Sequence, residues 1–224
     1  MTVLPLAAGI IALAFAVHLF VRAGRRGNWF EAVWGLAMLM FAVASGALFL
    51  GVVDEWSSTE FRVYWLFGVG LTVPYLGLGE VYLLARRRWV GHAALVVVLG
   101  ASAWLSAEVR TAPLDAEVLR TEDFFSGRDV LGDDAPARTL AIFYSYAGTA
   151  LLVGGILWSA LAMRGRPELR NRLYGTLLIA LGAGIVAGGA AFAAAGSFEG
   201  FSLTLAGGVA VMYWGFLMAT RRRS

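Results

Sequence analysis

Seven runs of roughly 19 to 25 mostly apolar residues, parted by polar connections, leave this chain few ways to fold. A helix rising ~1.5 Å per residue needs about 20 such residues to cross ~30 Å of hydrocarbon. The runs lie at about 3–21, 29–53, 63–85, 89–107, 139–163, 173–196 and 200–220. They predict an all-α fold: a polytopic seven-transmembrane helix bundle forming one domain over residues 1–224. Composition agrees, with 59% hydrophobic and 15% charged residues where soluble domains carry about 25% charge.

Charge placement orients the bundle. All eighteen basic residues are arginine, and thirteen of them fall in four clusters: Arg22, Arg25 and Arg26; Arg86 to Arg88; Arg164, Arg166, Arg170 and Arg172; Arg221 to Arg223. The clusters occupy alternate connections, the positive-inside pattern of a chain in the cytoplasmic membrane. The remaining connections, 54–60, 108–138 and the turn at Glu199, are acidic. The expected topology therefore has the N-terminus outside and the C-terminus inside. A pI near 9.6 thus reports threading through the lipid bilayer, and no nucleic-acid partner is expected. The first run has no basic segment before it and no small-residue cleavage site after it, so it reads as a retained span.

The connection 108–138 carries eight acidic residues and four arginines. Pro113 to Phe125 is predicted as a short helix, with Pro113 at its first position and Gly127 and Gly132 as turns. Asp129, Asp133 and Asp134 lack the spacing of a calcium loop and read as solvated acids. Cysteine is absent, which excludes disulfides, thiolate catalysis and Cys-ligated metals. No phosphate loop, HExxH or GxSxG pattern occurs. No catalytic residue or metal ligand is assigned.

In lipid, helices associate by close packing of small residues. Ala180, Gly184 and Gly188 recur at four-residue spacing, so the sixth helix is expected to be the tightly packed, central one. Gly207, Gly208 and Gly215 on the seventh helix, and Gly148, Gly154 and Gly155 on the fifth, add to the same expectation.

The third run, Phe61 to Ala85, gathers the unusual residues. At ~100° per residue, Tyr64, Gly68, Leu71, Tyr75, Gly79 and Tyr82 share one face. Buried phenols need partners, so Tyr64, Tyr75 and Tyr82, with Trp65 beside them, are candidate ligand-binding residues. Tyr64 and Tyr82 also read as interface-belt aromatics. Pro74 should kink the helix and free carbonyls near Gly70. Glu80 is the one carboxylate well inside an apolar run, and intramembrane acids mark function by default. His18, His92 and Glu31 lie at similar depth, giving a candidate polar cluster. The structural alternative turns Glu80 toward Arg87 and leaves the histidines at the headgroup boundary. Two histidines on separate helices also permit a haem.

Arg62-Val-Tyr-Trp-Leu-Phe, Thr72-Val-Pro74 and Glu80 look superficially like the third helix of microbial rhodopsins. That family's pigment hangs on a lysine, and this chain has none, so a retinal Schiff base is excluded. The short basic connections, Trp65, Gly70 and Pro74, the long connection before the fifth helix, Arg170-Asn-Arg172 and Phe201-Ser-Leu-Thr-Leu-Ala-Gly-Gly-Val point elsewhere. In these the chain resembles the seven-transmembrane sensor region of bacterial histidine kinases and diguanylate cyclases. Four residues follow the seventh run, so the expectation is a stand-alone sensor-like module. It would bind a small apolar or amphipathic ligand and act through a separate partner. The alternatives are a proton-linked transporter using Glu80, and a membrane cofactor protein or enzyme handling haem, quinone or lipid.

Overall fold

The computed structural model describes residues 2–121 and 124–220, all helix and connections, with no strand among the described residues. Seven helices are long and apolar enough to cross a membrane. We label the helices α1 (Val3–Arg26), α2 (Trp29–Val53), α3 (Ser58–Leu84), α4 (Arg88–Thr111), α5 (Ala116–Thr121), α6 (Gly127–Leu131), α7 (Pro136–Met163), α8 (Arg170–Ala194) and α9 (Phe198–Thr220). The short α5 and α6 belong to the long connection. The cluster Arg221 to Arg223 lies outside the described residues.

The helices outrun the apolar runs, because a helix continues into its polar flank until a cap ends it. α1 passes through Arg22, Arg25 and Arg26 to Gly27, whose φ of 64° turns the chain left-handed while its N–H bonds Ala23 O. α3 starts at Ser58, inside the connection expected at 54–60. There the Ser57 hydroxyl accepts from the Thr59 and Glu60 amides, and the Glu60 carboxylate accepts from the Ser57 amide. In the long connection, Pro113 does not open the helix. Asp115 does, its Oδ1 accepting from the Glu117 and Val118 amides at 2.9 and 3.2 Å. Gly127 begins α6 rather than making a turn, and Gly132 makes one. Glu199 sits in the first turn of α9, after a turn through Gly196.

Packing forms a closed ring in the order α1, α2, α3, α7, α8, α9 and back to α1, with α4 set outside against α3 and α7. One end of the ring carries the long connection and is the capped end. The other carries the first three arginine clusters.

The expectation that the sixth helix is central is corrected: α8 stands at the rim, packed along its length on α9 and only lightly on α7. The contacting glycines include Gly175 and Gly182 against Gly215 and Gly208, seven residues apart on each helix, and Gly189 against Thr204. A Cβ on Gly182 would lie 2.5 Å from Gly208 O, and one on Gly175 the same distance from Gly215 O. Seven-residue spacing keeps a seam facing its partner at a shallow crossing. Gly184 and Gly188, by contrast, meet nothing within 4 Å. The four-residue stripe faces away from the seam.

α3 is α-helical at both ends and π-helical over Tyr64–Leu71. Pro74 has no N–H, and in the wider register the carbonyl it leaves without a donor is that of Val69, five residues back. The Ser145 hydroxyl of α7 donates to Val69 O at 2.5 Å, and the Thr72 hydroxyl donates to Phe67 O at 2.7 Å. Gly148 lies flat on Pro74, where a Cβ would come 2.6 Å from the proline nitrogen.

Candidate ligand-binding cavity

Because the ring has no helix at its centre, it leaves a partly open cavity of about 640 Å³ toward the capped end. This lies within the ~300–1,000 Å³ typical of small-molecule sites. α2, α3, α7, α8 and α9 form its walls. Met38, Phe41, Leu48, Leu76, Leu152 and Val209 give them an apolar surface, and the alanines of α8, from Ala180 to Ala194, give them room. These alanines of α8 therefore hollow the bundle, while Gly175 and Gly182 tighten the helix's other face against α9.

The long connection closes the capped end. Phe125 is buried against Trp56 and Phe61, with ring centroids 5.0 and 5.8 Å away, and Phe124 packs on Phe198 and Phe201. This lid adds Phe125, Ser126, Gly127 and Arg128 to the lining, and Arg138 joins them from the first turn of α7. Arg128 and Arg138 share one carboxylate. Arg128 reaches Asp133 Oδ2 at 2.7 Å, and Arg138 reaches the Asp133 backbone carbonyl at 3.0 Å and Oδ1 at 3.7 Å. The hydrogen bond that Arg128 donates to Asp133, and then the Asp133 charge, raise the Arg128 pKa above its ordinary value. Asp129 is used locally, its Oδ2 accepting from the Ser126 amide. No group of acids and histidines suited to a metal ion occurs among the described residues.

The tyrosine face of the third helix is divided by the π segment. A wider turn takes up extra residue, so positions beyond Leu71 are rotated relative to a uniform helical step. Tyr64 and Trp65 line the cavity; Tyr75 and Tyr82 do not. Tyr64 meets the Trp56 ring edge-on, and Trp65 stacks on Phe61 with its ring over Gly127. The Trp65 side chain is 7% exposed and its Nε1 has no acceptor among the described residues. Tyr75 turns to α4, where its hydroxyl accepts from Ser102 Oγ at 3.4 Å, and Ser102 also meets Tyr144. Tyr82 stacks on Trp29 and bonds His92 Nδ1 at 3.0 Å near the arginine-rich end.

Glu80 and the three polar residues considered with it are likewise distributed over separate contacts. Glu31 is fully buried and paired with Arg22, whose Nε and second guanidinium nitrogen both stand 3.0 Å from Glu31 Oε1. Arg22 also lies over the Phe216 ring, 5.1 Å from its centroid. His18 faces Tyr213, 3.4 Å from its hydroxyl, while His92 takes Tyr82. The two histidines thus serve different helix contacts and are not brought together. Glu80 is 3% exposed and packs on Gly155 of α7; its Oε2 has no partner among the described residues, and no bond to Arg87 forms.

The sequence reading missed Arg128, Arg138 and Phe125. Five arginines stand outside the four clusters, and that exclusion was the available signal. Another of the five, Arg62, donates to the Val109 and Ala112 carbonyls and caps α4. Searches against protein-family models, curated proteins and solved structures returned no match for this chain.

Proposed function

We propose that this chain is an integral protein of the cytoplasmic membrane, N-terminus outside. It binds a small apolar or amphipathic ligand inside its bundle and acts through a separate partner. The observation that carries this reading is the apolar cavity at the centre of the ring, closed at one end by a folded lid and lined by Tyr64 and Trp65. The resemblance to seven-helix sensor regions is the reason for reading binding as reception, and the arginine clusters are the reason for the orientation. Orphaned Glu80 favours a second reading, a proton-linked carrier. Glu80 does not line the cavity, so the binding reading has the stronger support.

The test is ligand-dependent stabilisation of the purified protein, with extraction and mass analysis of whatever it retains. Filling the cavity by Ala187→Trp should abolish the stabilising effect of any molecule that stabilises the wild type. A broad screen of apolar and amphipathic compounds with no stabilising molecule would remove the proposal. For the second reading, proton-linked flux in proteoliposomes that survives Glu80→Gln would exclude that residue.

A further inference from the structure

We infer that the ligand of this cavity is a single-chain amphiphile with one anionic head, a carboxylate of the fatty-acid type. The inference rests on the ligand-binding reading and deepens it. Three features of the cavity carry it together.

The first is the sign of its charges. Among the described residues that line the cavity, Arg128 and Arg138 are the only charged ones, and both stand at the capped end. The single carboxylate that they share, Asp133, does not line it. A planar guanidinium pair that shares Asp133, with the Asp129 charge also felt by Arg128, suits a carboxylate head, which accepts from such forks in charge-assisted hydrogen bonds.

The second is an orphaned donor. Trp65 lines the cavity and packs on Gly127, next to Arg128, and its indole N–H is buried without an acceptor among the described residues. A buried donor left unmade costs stability. Guanidinium and indole groups only donate. No carboxylate lines this end among the described residues, and an anionic head supplies acceptors to all three donors.

The third is the remaining surface. Away from the two arginines, the walls are alanine, valine, leucine, isoleucine and phenylalanine, with few polar groups, and they run from the lid to Ile156 and Met212. A volume of about 640 Å³ takes one long acyl chain rather than two. The lightly packed seam between α7 and α8 gives a chain dissolved in the bilayer a route into the ring. The head would then lie at the lid and the chain tail toward the centre of the bundle.

The experiment uses the full chain in a neutral detergent, with brominated stearic acid and brominated stearyl alcohol as probes. Bromine quenches indole fluorescence on contact, and the signal read is the difference between wild type and Trp65→Phe, which removes the contribution of the other tryptophans. The acid should quench Trp65 saturably, at a half-saturating concentration about 10-fold below that of the alcohol, a gap of ~1.4 kcal/mol. Arg128→Gln with Arg138→Gln should close that gap by weakening the acid alone, and Arg128→Lys should retain most of it. Equal quenching by acid and alcohol in the wild type overturns the anionic head but leaves the cavity a ligand site, and needs no variant to fold. Quenching by a brominated phosphatidylglycerol as strong as that by the acid overturns the single chain. Saturable quenching by none of the three overturns both this inference and the reading on which it rests.

Discussion

Ser145 on α7 donates its hydroxyl to the Val69 carbonyl on α3 at 2.5 Å, supplying the donor that Pro74 withholds in the π register. The bond fixes α7 to a stretch of α3 where Pro74 offers the backbone no donor. Ser145→Ala leaves a part-buried carbonyl unpaired, at a cost of about 1 kcal/mol. Ser145→Thr keeps the hydroxyl and should behave as wild type. Thermal unfolding of the two variants in one detergent makes the comparison, and equal loss from both would show that packing, not the bond, matters there.

The α8–α9 seam gives a sharper contrast between neighbouring glycines. Gly182→Leu drives a side chain into Gly208 O, overpacking that commonly costs about 1–3 kcal/mol. Gly184 meets nothing within 4 Å, so Gly184→Leu should cost less than about 0.5 kcal/mol. Denaturation midpoints of the two proteins should differ clearly, with Gly182→Leu the less stable. The reverse order would place the seam on the four-residue stripe.

These cases mark what the sequence makes legible. Run length reports where a helix is long and apolar enough to cross a membrane, and the seven helices appear where those runs lie. The face of a helix is a finer matter. Gly182 and Gly184 have the same composition around them, and only the partner α9 distinguishes a seam from an open wall. Tyr64 and Tyr75 share a face on an ideal helix, but eight residues of π geometry set them on different sides. That geometry depends on Ser145 and Gly148, some seventy residues later. Arg128 and Arg138 read as loop charges until Phe125 anchors the lid beneath them. Such relations live in tertiary contacts, which periodicity along one run does not encode.

Tyr75 stands at the α3–α4–α7 junction, outside the cavity lining. Its hydroxyl accepts from Ser102, which also bonds Val98 O and meets Tyr144. Tyr75→Phe leaves Ser102 with partners and should cost under about 1 kcal/mol. It should leave ligand affinity unchanged, whereas Tyr64→Ala, which removes a cavity wall, should weaken it. Ligand titrations followed by thermal shift compare them directly; a loss of affinity in Tyr75→Phe would bring that hydroxyl into the site.

Glu80 sits against Gly155 with one carboxylate oxygen unpartnered among the described residues. Burying an ionised acid without a partner is costly, so an isosteric amide should be accepted there. Glu80→Gln should unfold at a temperature equal to or above that of the wild type, while Glu80→Ala opens a void and loses stability. If Glu80→Gln is clearly destabilised, the carboxylate has a partner that this structure does not contain, and its role lies in that contact.

The orientation itself is testable because the chain has no cysteine. Single cysteines at Asp54 and Asp134 sit on exposed connections at the capped end, and one at Glu168 sits on the opposite connection. None of the three changes removes an arginine, so the signal that sets topology is preserved. In intact cells, a membrane-impermeant maleimide should label Asp54→Cys and Asp134→Cys, and Glu168→Cys only after permeabilisation. Labelling of all three before permeabilisation would break the alternation on which the seven crossings depend. The opposite pattern would keep the crossings and invert the protein, placing the lid and its two arginines in the cytoplasm.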